Sequence, residues 1–339
     1  MDKKKISILN LAWILILTAS LSFSGCRTDM QEASKTEEIF GTIVSVKAYG
    51  ENAEEAVFAA LEKAKELEKI FSLTISDSEI NYVNQNAFKD AVKVSDEMFY
   101  LVCRADYFSR LSGGAFDYTI ERLIDLWGIG NDWARVPKIS EIEPLVGLHD
   151  YKNIVIDSQN HEIKFKTDTA MLNFGAIAKG YIADEMKSEI LKHGVKSALL
   201  NLGGNVLAIG KKPDGSLWKI GIANPFNPSS NIAFVEVADC SVVTSGNYEK
   251  YFEEDGVRYH HILNPETGFP SKSGLAGTTV ISPVSADCDA LSTATFILGV
   301  EKSVKLIESL DGVEAIFISE NGDITYTSGI SKYHFKELN

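Results

Sequence analysis

The stretch from Val195 to Gly210, VKSALLNLGGNVLAIG, decides the fold class. Two short apolar runs flank Gly203-Gly204, and a glycine pair between such runs predicts two buried strands joined by a tight antiparallel turn. The chain closes on a second signal of the same kind, Asn321-Gly322 between Glu314–Ser319 and Ile324–Thr327. Further β-branched runs, Ile39–Ala48, Ile232–Val243 and Arg258–Leu263, read as strands. Long helical patterns lie between them. Asn52 with Glu55 three residues on opens one, and Ala56, Ala60, Leu61, Ala64, Leu67 and Phe71 recur along a single face. Another starts near Ser95, carries Met98, Leu101, Val102, Ala105, Phe108 and Leu111, and stops at Gly113-Gly114. A third opens at Ser285 after Pro283, runs to Leu298 and ends at Gly299, with Glu301–Leu310 helical beyond it. Hairpins mixed with long helices predict an α+β fold with antiparallel sheets rather than a regular βαβ alternation.

The N-terminus bears on where the protein works. Met1-Asp-Lys-Lys-Lys precedes an apolar run from Ile6 to Phe23 and then Ser24-Gly25-Cys26. A positive start, an apolar middle and small residues before a cut describe a secretory signal. The run is also just long enough to be a retained membrane anchor. The Ser-Gly-Cys ending resembles a bacterial lipobox, with Phe23 where Leu is usual, and makes Cys26 the acylated first residue of the mature chain. The expected division is a signal over 1–25, a polar tether over 26–38 and one folded domain over 39–339, lying outside the cytoplasm. Cys103, Cys240 and Cys288 cannot all pair, and no Cys-x-x-Cys spacing occurs, so neither a disulfide framework nor a thiolate zinc site is expected. A formal net charge of −14 and the lack of a basic tract argue against nucleic acid as a partner.

No G-x-G-x-x-G follows a strand and no Gly-Lys-Ser/Thr phosphate loop exists. Other stretches carry the chemistry, each with a plain structural alternative. In Leu172–Asp184, LNFGAIAKGYIAD, Gly175 and Gly180 allow a ligand or another backbone to come close. Lys179, near a helix start, suits an anion unless it is merely solvated. In Ser285–Gly299, Asp289 and Thr293 share one helix face, a hard-oxygen pair suited to magnesium. The alternative is a dipole-favoured acid and a core threonine. Thr244-Ser245-Gly246 ends a strand and holds phosphate or ribose oxygens, or is a turn. Asp117, after Gly113-Gly114-Ala115, contacts a ligand or caps a helix. Ser78, Glu79 and Asn84 read as a polar loop. In Arg258–Pro270, RYHHILNPETGFP, His260 and His261 run into a rigid turn. Adjacent strand residues face opposite ways, so one imidazole at most serves a given site, as a base or as a binding group.

The order of these stretches is more specific than any one of them. SEI..VN, SGGAFDYTIERLIDLWG, LNFGAIAKGYIAD, LLNLGGN, TSGNYEKYF, HHILNPETGFP and DALSTATFILG follow one another as in the ApbE family of FAD:protein FMN transferases, which the chain resembles from about Ile39 to its end. Asn173 stands where that family commonly has Asp, Tyr118 where Pro is frequent and Asn247 where Asp is frequent. The resemblance implies a single α+β catalytic domain related to the tunnelling fold. It implies a magnesium-dependent enzyme that splits FAD, attaches FMN by a phosphoester to Ser or Thr of an extracytoplasmic redox protein such as an Rnf- or Nqr-type subunit, and releases AMP. Carried onto this chain, the metal ligands would be the carbonyl of Ala176 with Asp289 and Thr293. His261 would be the general base, with His260 in a lesser part, and Asp117, Lys179, Thr244, Ser245 and Gly246 would line the FAD site. Two other functions fit the same residues: a FAD pyrophosphatase using water, and a lipid-tethered flavin-binding protein without chemistry.

Overall fold

In the computed structural model, which describes residues 30–338, Gly203 and Gly204 both take positive φ and join β6 (Ser197–Leu202) to β7 (Asn205–Ile209). This hairpin lies at the middle of an eight-stranded sheet in the order β1-β2-β6-β7-β10-β13-β14-β15, antiparallel throughout. Its other strands are β1 (Glu32–Ile39), β2 (Thr42–Tyr49), β10 (Ser241–Gly246), β13 (Leu275–Ser282), β14 (Glu314–Ser319) and β15 (Ile324–Tyr326). Side chains alternate across it with a period of two. Ala198, Leu200, Leu202, Ala315 and Phe317 face a helical layer, whereas Leu199, Ile316 and Ile318 face the other way.

The helical layer is α1 (Ala53–Phe71), α6 (Ala178–Lys192) and α7 (Ser285–Leu298), packed side by side with α7 lying on β10 and β13. The opposite face is covered by β8 (Trp218–Asn224) and β9 (Asn227–Val237), edged by β16 (Lys336–Glu337). With both faces covered, every residue of β13 is buried. Around this sandwich lie α2 (Glu79–Asn86), α3 (Asp96–Leu111), α8 (Val300–Glu308) and a small sheet of β3 (Val92–Lys93), β4 (Ile154–Asp157) and β5 (Glu162–Phe165). A separate apolar cluster joins α4 (Glu121–Trp127) and α5 (Ile139–Val146) to the hairpin of β11 (Tyr251–Glu254) and β12 (Val257–His260). Leu123, Trp127, Ile142 and Leu263 are its buried centre, and it fixes one wall of the site.

Several elements differ from expectation. The segment read as a tether is β1 from Glu32 onward, and Ile39–Ala48 is a hairpin corner at Phe40-Gly41 followed by β2. An edge strand needs backbone pairing but no apolar face, and here its charges reach solvent in ion pairs, Glu32–Lys47 and Glu37–Lys65, both at 2.7 Å. Residues 232–243 are two strands, the end of β9 and the start of β10, parted by a turn with Asp239 at φ 54°. The supposed polar loop holds α2, with Ser78 as its cap accepting from the Asn81 N–H. The signal segment 1–25 and Cys26 lie outside the described residues, and among those residues no helix is long and apolar enough to cross a membrane.

Candidate active site

The site forms where α6 begins, and its geometry starts with a displaced helical hydrogen bond. The N–H of Gly180 would ordinarily donate to the carbonyl of Ala176, four residues back. It donates instead to Asp289 Oδ2, at 3.0 Å, on α7. Among the described residues no N–H or side-chain donor is then left on the Ala176 carbonyl. Gly180 is required because a Cβ there would collide with the Ser285 carbonyl, so the close approach allowed by this glycine is that of another backbone.

The second helix is held by a reciprocal contact. Val284, the cap of α7, offers no side-chain acceptor, and Asp184 from α6 takes the free N–H groups of Ser285 and Ala286, each at 2.9 Å. Burial pushes the Asp184 carboxyl up to about 6 against the lowering effect of those two donors. Asp287 leaves the site for a two-point pair with Arg104 at 2.8 and 2.6 Å. Asp289 and Thr293, one turn apart, both line a cavity of about 270 Å³. Asp289 is buried, with Oδ1 3.6 Å from Lys179 Nζ, and that ammonium also lies 3.3 Å from the Gly175 carbonyl.

The two histidines differ in what holds them. His260 ends β12 and is buried: the Ile262 N–H donates to its Nδ1 at 3.3 Å, so Nε2 carries the hydrogen and donates to the Ser271 carbonyl at 3.0 Å. Both its nitrogens are spent. His261 lies just past the strand, with Nδ1 3.2 Å from the Lys250 carbonyl. A carbonyl only accepts, so Nδ1 holds the hydrogen and Nε2 keeps a free lone pair. Burial pushes this imidazole down to about 4, which keeps it unprotonated at neutral pH. The turn that follows is fixed by Asn264, whose carbonyl accepts from Gly268 N–H at 2.8 Å, and by Trp127 Nε1, which donates to the Gly268 carbonyl at 2.7 Å.

His261, Asp117, Ala176, Lys179, Thr244, Ser245, Asp289 and Thr293 all line the one cavity. Gly246 does not; its missing side chain makes room for the Tyr248 ring. Asp117 caps no helix, since α4 starts after Ile120, and its Oδ1 accepts from Thr119 N–H and Oγ1 at 2.8 and 2.7 Å. The Thr244 and Ser245 hydroxyls are paired with Thr279 and Ser292, each at 2.8 Å. Asn173, which also lines the cavity, donates to Glu121 and accepts from Gly175 N–H. Burial pushes Glu121 up to about 7. The sequence reading missed Glu249, a cavity-lining carboxyl likewise pushed up to about 7 by burial. It also missed Asp184 as the cap of α7. Neither stands in a spacing that marks it: Asp184 meets Ser285 101 positions on, and Glu249 joins the site only through the folded cavity wall.

The ApbE family model matches residues 40–317. The chain belongs to the ApbE family. It is 35% identical over 94% of its length to the FAD:protein FMN transferase of Treponema pallidum, covering 92% of that protein. It is 33% identical over 89% of its length to a protein of the same name from Klebsiella pneumoniae, covering 93% of it. Among solved structures it superposes on the ApbE protein of Thermotoga maritima with a TM-score of 0.83 at 31% identity, over 91% of this chain and all of that one. The apo flavinyl transferase ApbE of Pseudomonas stutzeri gives 0.79 at 32% identity, over 90% and 97%. The α+β architecture is therefore the ApbE fold.

Proposed function

We propose that this protein is a FAD:protein FMN transferase. It cleaves the pyrophosphate of FAD, joins FMN to a Ser or Thr hydroxyl of an acceptor protein, and releases AMP. The observation that carries this reading is the convergence on one cavity of a neutral imidazole with a free Nε2 and a cluster of hard oxygen donors. In the reaction the acceptor hydroxyl gives its proton to His261 Nε2 while its oxygen bonds the FMN phosphorus. The bond from that phosphorus to the bridging oxygen breaks, and AMP departs with the electron pair.

Magnesium suits the oxygen set. Ala176 offers a carbonyl without a donor, Asp289 a buried carboxylate, and Thr293 a hydroxyl on the same face of α7. A divalent ion held by these three would supply charge neutralisation to the pyrophosphate. Lys179 presents an ammonium to the same anion, and Asp117, Thr244 and Ser245 supply polar contacts along the wall. The proposed setting is extracytoplasmic, with the chain anchored through acylated Cys26 and an Rnf- or Nqr-type redox subunit as acceptor. The mass of the mature N-terminus tests the anchor: an unmodified or uncleaved terminus refutes it.

The activity is tested by incubating the protein with FAD and magnesium, with and without an acceptor domain bearing a Ser/Thr site. A magnesium-dependent FMN adduct on the acceptor, with AMP released, supports the transferase. AMP and free FMN without an adduct across several acceptors means a pyrophosphatase. FAD that stays intact leaves only a binding protein.

A further inference from the structure

The placement of Lys179 is at odds with helix electrostatics. It is the second residue of α6, and a cation in the first turn faces the positive end of the helix dipole. Its ammonium is held there by oxygens: the Gly175 carbonyl at 3.3 Å and Asp289 Oδ1 at 3.6 Å. Among the described residues the Asp289 carboxylate otherwise accepts only from the Gly180 N–H, and a buried carboxylate with no cation near it is costly. Lys179 is thus the counter-ion of Asp289, and it lines the same cavity as Ala176, whose carbonyl takes no donor among the described residues.

We infer that Lys179 occupies the cation seat of the site in the metal-free protein, and that a divalent ion binding there drives its ammonium off Asp289 and into the cavity, where it meets the anionic substrate. This rests on the assignment of Asp289 as a metal ligand. A doubly charged ion on Asp289 Oδ1 repels an ammonium a few ångströms away, and the flexible four-carbon stem, with the side chain 30% exposed, lets the group move. The ion therefore readies a positive contact for the pyrophosphate that is otherwise tied up in the protein. The exchange costs metal affinity, because the ion must displace a resident charge.

The test is Mn2+ binding to the full, flavin-free chain, followed by the electron paramagnetic resonance of the free ion, for wild type, Lys179→Met and Asp289→Asn. Removing the competing charge is expected to tighten Mn2+ binding by about tenfold in Lys179→Met. Asp289→Asn is expected to abolish it. Equal or weaker binding by Lys179→Met, with Asp289→Asn inactive in binding, overturns the displacement and leaves the metal site intact. Wild type and Asp289→Asn behaving alike refutes the metal assignment itself and this inference with it. A thermal melt checks that Lys179→Met folds; if it does not, Lys179→Gln, which can still donate to Gly175, is read in its place with the same expected sign.

Discussion

His261→Gln separates the chemistry of the imidazole from its position, because glutamine keeps an N–H for the Lys250 carbonyl and loses the titrating ring. In the folded protein burial lowers this histidine from 6.5 to about 4. The neutral form is therefore favoured in the native state, and protonation favours the unfolded chain. The stabilisation is present above pH 6.5 and is lost as pH falls through the window from there to about 4. A gap of that size corresponds to about 3 kcal/mol at 1.36 kcal/mol per pH unit. The ring edge opens on the cavity, and solvent screening trims the figure to about 2 kcal/mol. Other groups titrate across the same range in the opposite sense: burial raises Glu121 and Glu249 to about 7 and Asp184 to about 6. Their contributions cancel in the difference between wild type and variant, so urea unfolding of both at neutral and acid pH isolates the histidine. The stability of wild type relative to His261→Gln should fall by about 2 kcal/mol between neutral pH and pH ~4. A difference that stays flat would mean that His261 is an ordinary exposed imidazole, and the argument for a base that rests neutral at physiological pH would fail. In parallel, the acid limb of kcat/KM for wild type should lie near 4 rather than 6.5.

Three further substitutions probe the frame that holds the site. Gly180→Ala puts a methyl into the Ser285 carbonyl and should cost about 3 kcal/mol, read in a thermal melt; a loss under about 0.5 kcal/mol would refute the close-approach argument. Asp184→Ala strands two N–H groups at the start of α7 and should destabilise by about 2 kcal/mol in urea, with Mn2+ binding weakened as Asp289 loses its register. Trp127→Phe removes one buried hydrogen bond to Gly268 and should cost about 1 kcal/mol, with faster amide exchange at Gly268 than in wild type.

The parts of this protein that show in its sequence are those where local pattern and tertiary role agree. The Gly203-Gly204 and Asn321-Gly322 turns, the apolar face of α1 and the limits of α7 follow from periodicity and breakers, and each is found where those signals put it. Asp289 and Thr293 were legible as a pair because helical spacing puts them on one face, whereas the turn after His260 and His261 marked both imidazoles and only the family resemblance chose His261. β1 was hidden because an edge strand can be wholly polar, and α2 because a helix of eight residues with two buried side chains has little periodicity to read. Asp184 owes its role to partners far along the chain, which no local pattern encodes, and Glu249 is marked only by its burial in the cavity wall. Gly246 was drawn in by its neighbours Thr244 and Ser245, although its bare Cα serves the packing of Tyr248.

The exchange of carboxylates between α6 and α7 also bears on how the protein comes to be active. Gly180 and Asp289 are 109 positions apart, and Asp184 and Ser285 are 101 apart. Contacts of such sequence separation require long loops to close, which makes them slow to gain. A nascent chain that has emerged only as far as the Asn264 turn already contains His261 and Lys179, yet it holds neither clasp and no Asp289. Catalytic competence should therefore appear in one step with the closing of the whole domain, and refolding followed by recovered turnover should track the global transition with no partly active species before it.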